Sequence, residues 1–99
     1  MKVKVQSIHF DADSKLLEFI EEKVDKLTHF YEDIIDSEVF LRIDKGDEKG
    51  NKIAEIKINT PGKTLFAKEQ CKTFEEATDS AVESLRKQIT KHKEKTRGN

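Results

Sequence analysis

Several residue types that often reveal a protein's function are nearly absent from this 99-residue chain. It contains one cysteine, one proline, one methionine and no tryptophan. The single cysteine, Cys71, cannot form an internal disulfide, which fits a reducing compartment. No apolar run approaches the roughly 20 residues needed to cross a bilayer, and residues 1–5 lack the apolar core of a signal peptide. We therefore expect a soluble intracellular protein that does not associate with membranes.

Side chains suited to catalysis or metal binding are few and scattered. The three histidines, His9, His29 and His92, lie far apart, and no HxxxH or CxxC spacing suggests a metal site. Cys71 has no histidine or basic partner implied nearby and is predicted to be a small apolar residue rather than a nucleophile. The glycines of residues 46–50 lack the Gly-Lys-Ser/Thr ending of a phosphate-binding loop. We expect no enzyme activity, no cofactor and no small-molecule substrate.

Charge, by contrast, is abundant, and its two signs are separated along the chain. Charged residues make up 39% of the sequence, yet the formal net charge is only −1. Residues 86–99 contain six basic residues and one acidic residue, a local charge of +5, which leaves −6 for residues 1–85. Salt screening limits the interactions of exposed charges to distances of about 8–10 Å. A polyanion would therefore respond to the local charge of the basic end rather than to the net charge of the whole chain. Alternatively, the basic end only aids solubility and complements a helix dipole.

Hydrophobic periodicity predicts the element order strand, helix, three strands, helix. Apolar and polar residues alternate in four segments, near residues 2–6, 38–43, 54–59 and 64–70, as in half-buried strands. Apolar residues recur every three or four positions in two longer segments, the pattern of amphipathic helices. The first helix begins after a cap at Asp13 or Ser14 and carries its stripe to Tyr31. The second opens with the capping box of residues 73–76.

These elements predict one α+β domain, β-α-β-β-β-α, that spans residues 1–99. The short links between the last three strands favour an antiparallel sheet, and the two helices should pack side by side on one of its faces. The other face interleaves cations with Phe40 and Phe66. Exposed aromatic rings beside cations can stack on unpaired bases, but a solvated sheet face or a protein-binding face is an equally good interpretation.

The end of the second helix is the strongest candidate for nucleic-acid binding. No aliphatic residue follows Ile89, so we expect the helix to extend beyond the core and to end near Gly98. Its cations lie on more than one side, which suits a groove lined by phosphates, where each bound cation releases a condensed counterion. Lys23 and Lys26 would extend this basic surface if the first helix lies beside the second.

Together these segments resemble one family, the short ribosome-hibernation factors, also called hibernation-promoting factors or ribosomal subunit interface proteins. The most specific part is residues 85–95 (LRKQITKHKEK), which are similar to the basic helix of the family. Supporting similarities are residues 19–27 (FIEEKVDKL), 58–62 (INTPG) and 74–77 (FEEA). The resemblance covers nearly the whole chain.

The resemblance implies a fold like that of double-stranded-RNA-binding domains and a role in translation. It implies binding to the small ribosomal subunit in the channel used by messenger and transfer RNA, which blocks translation in starved or stationary-phase cells. Its partners would be the small subunit with its ribosomal RNA and the 70S ribosome. The implied RNA contacts are Lys23, Lys26, Arg86, Lys87, Lys91, His92, Lys93 and Lys95.

Two departures from longer relatives refine this expectation. We expect neither the C-terminal dimerisation domain of long members nor the extended acidic tail of a related inhibitor branch. We expect a single ribosome-binding domain whose residues 91–99 form a basic helix end and tail, and which is cytoplasmic and monomeric off the ribosome. The alternatives are a general structured-RNA-binding domain that does not act on the ribosome and a protein-interaction domain that uses the sheet face.

Overall fold

The computed structural model describes residues 2–46 and 50–96, the last four of them by their backbone alone. The elements are β1 (Lys2–Ser7), α1 (Ser14–Asp25), the 3₁₀ helix η1 (Lys26–His29), β2 (Asp36–Ile43), β3 (Lys52–Thr60), β4 (Lys63–Cys71) and α2 (Phe74–Thr96). The predicted order of strands and long helices is confirmed, as is the α+β class.

The four strands form one sheet in the order β1-β2-β3-β4. Strands β2, β3 and β4 make the predicted antiparallel meander. The sheet as a whole is mixed, because β1 runs parallel to β2 with Val5 beside Val39. A helix separates these two strands, and a helical crossover returns the chain in the same direction, whereas a tight turn reverses it.

The link between β3 and β4 is a tight turn whose central residues are Pro61 and Gly62. Gly62 has a φ of 77°, a left-handed conformation that a type II turn requires at its third position. The Thr60 hydroxyl donates to the Lys63 carbonyl at 2.8 Å and closes the turn. This turn fixes the register of the two strands, since Ile58 then lies opposite the buried Leu65.

The core lies between the two helices and one face of the sheet. Its fully buried large side chains come from every layer: Ile20, Val24 and Leu27 before β2, Val39, Leu41, Ile56 and Ile58 on the sheet, and Leu85 and Ile89 on α2. The predicted apolar faces are therefore confirmed in their central residues. At the margins they are less buried, since Val82 is half-buried and Ile43 is exposed.

The first helix is shorter than its apolar stripe predicts. It begins where the Asp13 carboxylate accepts a hydrogen bond from the Leu16 amide at 2.8 Å. It ends at Asp25, and the Thr28 hydroxyl donates to the Asp25 carbonyl at 2.7 Å within the tighter turns of η1. The expected continuous helix up to Tyr31 is wrong, because the 3₁₀ segment changes the direction in which the following side chains point.

The second helix is capped at its N-terminus by Thr73, the residue that the sequence predicts. The Thr73 hydroxyl accepts a hydrogen bond from the Glu76 amide at 3.1 Å. The helix continues to Thr96, beyond Ile89, which is the last buried residue among those with described side chains. The predicted end near Gly98 lies outside the described residues. In the part of the chain that the structure describes, no helix is long and apolar enough to span a membrane.

One buried polar group gives a test of this packing. The Thr78 side chain is fully buried in α2, and its hydroxyl has no hydrogen-bond partner among the described residues. Valine has nearly the same shape and removes the desolvated hydroxyl. We expect Thr78→Val to stabilise the fold by about 1 kcal/mol, which raises the melting temperature by roughly 4–8 °C in a domain of this size, as measured by circular dichroism.

The matched control is Thr90→Val on the same helix. Thr90 is exposed, and its hydroxyl donates to the Arg86 carbonyl at 3.0 Å, so this change should bring no gain in stability. A lower melting temperature for Thr78→Val would contradict the assignment of an unpaired buried hydroxyl.

Candidate nucleic-acid interface

The candidate interface depends on the way the two helices lie against each other. In the last turn of α1, Lys23 contacts Asp79 in the N-terminal half of α2. Beyond η1, Tyr31 contacts His92 near the end of α2. Contact positions rise together along both segments, so the helices run side by side in the same direction. Their C-terminal ends therefore meet at the same end of the domain.

Charge on α2 is segregated along its length. The first half carries four acidic residues, Glu75, Glu76, Asp79 and Glu83, and the second half carries five basic residues, Arg86, Lys87, Lys91, Lys93 and Lys95, with one acidic residue, Glu94. This order matches the helix dipole, which favours anions at the N-terminus and cations at the C-terminus. The dipole alone therefore accounts for part of the segregation, and the interface must be judged from the environments of the individual cations.

Arg86 lies on the side of α2 that faces the first helical segment, which consists of α1, η1 and residues 30–31. The centre of its guanidinium group is 5.2 Å from the centroid of the Phe30 ring. Its Nη1 atom is 3.6 Å from Oε2 of Glu83, one turn earlier on α2, and both side chains of this ion pair are 53% exposed. The guanidinium is thus held between an aromatic ring and a carboxylate while half of its surface stays open to solvent.

Lys23 is also engaged within the domain. Its ammonium nitrogen is 3.3 Å from Oδ1 of Asp79 and 5.5 Å from the centroid of the Phe19 ring. Exposed ion pairs of this kind stabilise proteins by about 0–1 kcal/mol. The pair costs little to break, but the carboxylate lowers the positive potential that Lys23 presents to a polyanion.

The other three lysines that are predicted to contact RNA and have described side chains are exposed to solvent. Lys26, Lys87 and Lys91 are exposed and form no ion pair with any described side chain. Lys87 and Lys91 are four positions apart and so share one side of α2. Between them Gln88 donates to the Phe66 carbonyl at 2.9 Å, which ties this side of the helix to the edge of the sheet. Arg86, by contrast, lies beside Phe30 on the side of α2 that faces the first helical segment.

His92 is placed differently from the exposed cations. Its side chain is half-buried, and its Nε2 atom is 3.2 Å from the Tyr31 hydroxyl, with the two rings edge to face at 5.5 Å between centroids. The helix therefore still contacts the domain one turn after Ile89, later than the sequence predicts. The predicted contacts Lys93 and Lys95 lie on α2, but their side chains are outside the described residues.

The open sheet face is less suited to a polyanion. Phe66 is 50% exposed, but Phe40 is only half-buried rather than open. Charges of opposite sign alternate across neighbouring strands, as in the row formed by Lys4, Glu38 and Lys57. The cations predicted on this face therefore lie beside carboxylates, which weakens the interpretation of the sheet as an RNA-binding surface.

One aromatic residue of the interface does not have the role that the sequence indicates. Phe30 and Tyr31 both belong to the predicted core stripe, and Tyr31 is half-buried against the core and His92, whereas Phe30 is 44% exposed beside Arg86. The signal that could have found this difference is Thr28, a residue type that favours hydrogen bonds to nearby carbonyls over continued helix. Among the described residues, no cluster of histidine, cysteine or carboxylate side chains is arranged to hold a metal ion.

Comparison with known proteins identifies the family. A model of the family described as Sigma 54 modulation protein / S30EA ribosomal protein matches residues 3–97. The chain belongs to this family. It is similar to the ribosome hibernation promoting factors of Pseudomonas putida, with 24% identity over 96% of this chain and 89% of that protein, and of Azotobacter vinelandii, with 25% identity over 96% and 85%.

A longer relative matches over part of its length. The ribosome hibernation promotion factor of Deinococcus radiodurans is 30% identical over 84% of this chain and 44% of its own. Among solved structures, a ribosomal subunit interface protein from Coxiella burnetii superimposes with a TM-score of 0.82 at 20% identity, covering 94% of this chain and 98% of that one. The N-terminal domain of Thermus thermophilus Protein Y gives 0.79 at 22%, covering 93% and 99%. These likenesses confirm the fold.

Because Asp79 pairs with Lys23, we predict that removing the Asp79 charge strengthens the binding of a polyanion. We expect Asp79→Asn to free the Lys23 ammonium and to strengthen binding to a polyanion, so that the variant elutes from immobilised heparin at higher salt than the parent chain. Glu18→Gln removes an equal charge from an exposed position in the first half of α1 and is the control. An equal shift for both variants would show that only net charge matters.

Proposed function

We propose that this chain is a ribosome hibernation factor, which binds the small ribosomal subunit in the messenger- and transfer-RNA channel and blocks translation in starved or stationary-phase cells. Family membership and the names of its relatives support the ribosome as partner. The structural observation that carries the proposal is the set of exposed lysines, Lys26, Lys87 and Lys91, which have no carboxylate partner among the described side chains.

The mechanism is steric exclusion, with electrostatics supplying the affinity. Ribosomal RNA presents phosphates on its surface, and each cation that neutralises one releases a condensed counterion. Contacts to phosphate position a protein without reading sequence, so docking at one place depends on the shape of the channel and of the two-helix surface. The domain would fill space that messenger and transfer RNA need, and no chemical step is required.

The proposed RNA contacts differ in how readily they can act. Lys26, Lys87 and Lys91 reach phosphate without breaking any described interaction. To bind a phosphate, Arg86 must leave Glu83 or contact both groups, and Lys23 must do the same with Asp79. His92 must leave Tyr31 or contact it and the phosphate together. The full proposed set is Lys23, Lys26, Arg86, Lys87, Lys91, His92, Lys93 and Lys95.

Further parts of the proposal concern the molecule as a whole. Residues 1–99 act as a single ribosome-binding domain, with residues 91–99 as its basic helix end and tail. The protein is cytoplasmic, associates with the 70S ribosome through the small subunit and its ribosomal RNA, and is a monomer when it is not bound.

Replacing two of the exposed lysines tests whether cations of this surface supply the affinity for ribosomal RNA. If about five cations contact phosphate, the plot of log K against log salt concentration falls with a slope of roughly −3.5 to −4.5. We expect Lys87→Ala with Lys91→Ala to weaken cosedimentation with small subunits and to make this slope shallower by about one per lysine. The melting temperature should stay nearly unchanged, because both side chains are exposed.

The control for this experiment removes two exposed lysines from the opposite end of the domain. Lys15 lies in the first turn of α1 and Lys72 precedes α2, so their replacement by alanine should leave binding close to that of the parent chain. Equal losses for the two double variants would contradict the proposed surface, and binding that is insensitive to salt would contradict the mechanism.

Competition with messenger and transfer RNA tests whether the protein binds in the proposed channel of the small subunit. Small subunits loaded with messenger RNA and transfer RNA should bind much less of the protein than empty subunits, because the channel is then filled. The measurement is cosedimentation at fixed salt, with an excess of free duplex RNA added in parallel. Undiminished binding to loaded subunits would place the site elsewhere, and displacement by duplex RNA alone would favour a general RNA-binding domain.

A further inference from the structure

Phe30 is exposed at the end of the domain where the two helices finish. Ile20, Val24 and Leu27, which precede it in the first helical segment, are fully buried, whereas Phe30 keeps 44% of its surface accessible. It follows η1 directly, and its amide donates to the Leu27 carbonyl at 3.0 Å, which holds the backbone at this point.

The next residue shows that this exposure is a consequence of local geometry. Tyr31 also donates its amide to the Leu27 carbonyl, at 3.1 Å, but its side chain turns toward His92. Two consecutive aromatic side chains therefore have different surroundings: Tyr31 is half-buried against His92, whereas Phe30 lies beside the half-exposed Arg86.

Arg86 and Phe30 lie against each other, and each keeps part of its surface exposed. The guanidinium carbon is 5.2 Å from the ring centroid, and the group is also restrained by Glu83, whose Oε2 atom is 3.6 Å from Nη1 of Arg86. A guanidinium group is planar and stacks on aromatic rings, and restraint before binding lowers the entropy that is lost on binding. The pair thus differs from the neighbouring lysines, which offer mobile point charges.

We propose that the Arg86–Phe30 pair is a stacking site for one unpaired nucleobase of the bound RNA. Aromatic rings and guanidinium planes are the surfaces on which splayed-out bases stack, and such a base must come from a loop, bulge or single strand, since duplex RNA buries its base faces. The lysines then hold the flanking phosphates. This inference rests on the proposed RNA binding and adds that the partner must be unpaired at this point.

Model RNAs test the inference. One hairpin carries a single unpaired 2-aminopurine in its stem, and the other is fully paired. We expect the chain to bind the bulged hairpin about 5- to 150-fold more tightly, the factor typical of one base stacked on an aromatic side chain, and to change the fluorescence of the 2-aminopurine.

Variants separate stacking from charge. Phe30→Leu keeps an apolar side chain and every charge, so it should abolish the preference for the bulged hairpin while leaving the salt slope unchanged. Phe30→Trp should retain the preference. Arg86→Lys keeps the charge but loses the plane, and should reduce the preference. Phe66→Leu, which alters a similarly exposed phenylalanine on the sheet face, is the matched control and should behave like the parent chain.

The outcomes distinguish this inference from the proposed function. Equal binding of the two hairpins by the parent chain, or an undiminished preference in Phe30→Leu, overturns the stacking site even if ribosome binding persists. Loss of preference in Phe30→Leu with a normal melting temperature supports it. Failure of the parent chain to sediment with small subunits overturns the proposed function, irrespective of how the hairpins behave.

Discussion

The side-by-side packing of the two helical segments on one face of the sheet is the constraint on which the candidate interface depends. Leu27 of η1 and Ile89 of α2 are both fully buried in the same core, and their burial fixes how the ends of the two segments meet. Fully burying a side chain of this size contributes about 1.5–3 kcal/mol. The cations and aromatic residues around this junction are positioned by apolar contacts that lie beneath them.

The electrostatics of α2 connect stability with the proposed function. Acidic residues in its first half and basic residues beyond agree with the helix dipole, so the helix is not destabilised by concentrating cations at its C-terminal end. The same arrangement means that carboxylates of the domain compete with RNA phosphates for two cations, since Asp79 pairs with Lys23 and Glu83 pairs with Arg86. A polyanion would meet three open lysines first and could then compete for the two paired cations.

Much of the fold could be predicted from the sequence, because hydrophobic periodicity reports which residues face the core. Ile20, Val24, Leu85 and Ile89 follow the helical period and are buried as predicted. The direction of β1 could not be derived from alternation in the strand itself, since Val3 and Val5 alternate in either direction; only the helical crossover decides it.

The candidate site was less predictable, for a different reason. Periodicity assigned Phe30 to the core, because a pattern of apolar residues does not show that a helix tightens into 3₁₀ turns after Asp25. The positions of Arg86 and Lys87 on the surface followed from spacing, but the carboxylate beside Lys23 comes from another helix and is 56 positions distant along the chain. Contacts of this kind depend on tertiary packing, and no local pattern contains them.

The hydrogen bond from Gln88 to the Phe66 carbonyl has a consequence for the behaviour of the protein at high concentration. Strand β4 is an outer strand of the sheet, and the exposed carbonyls and amides of outer strands can pair with strands of other molecules and so begin aggregation. By occupying the Phe66 carbonyl, Gln88 removes one acceptor that such an intermolecular strand would need. The helix that carries the basic surface thereby also blocks one pairing position at this edge of the sheet.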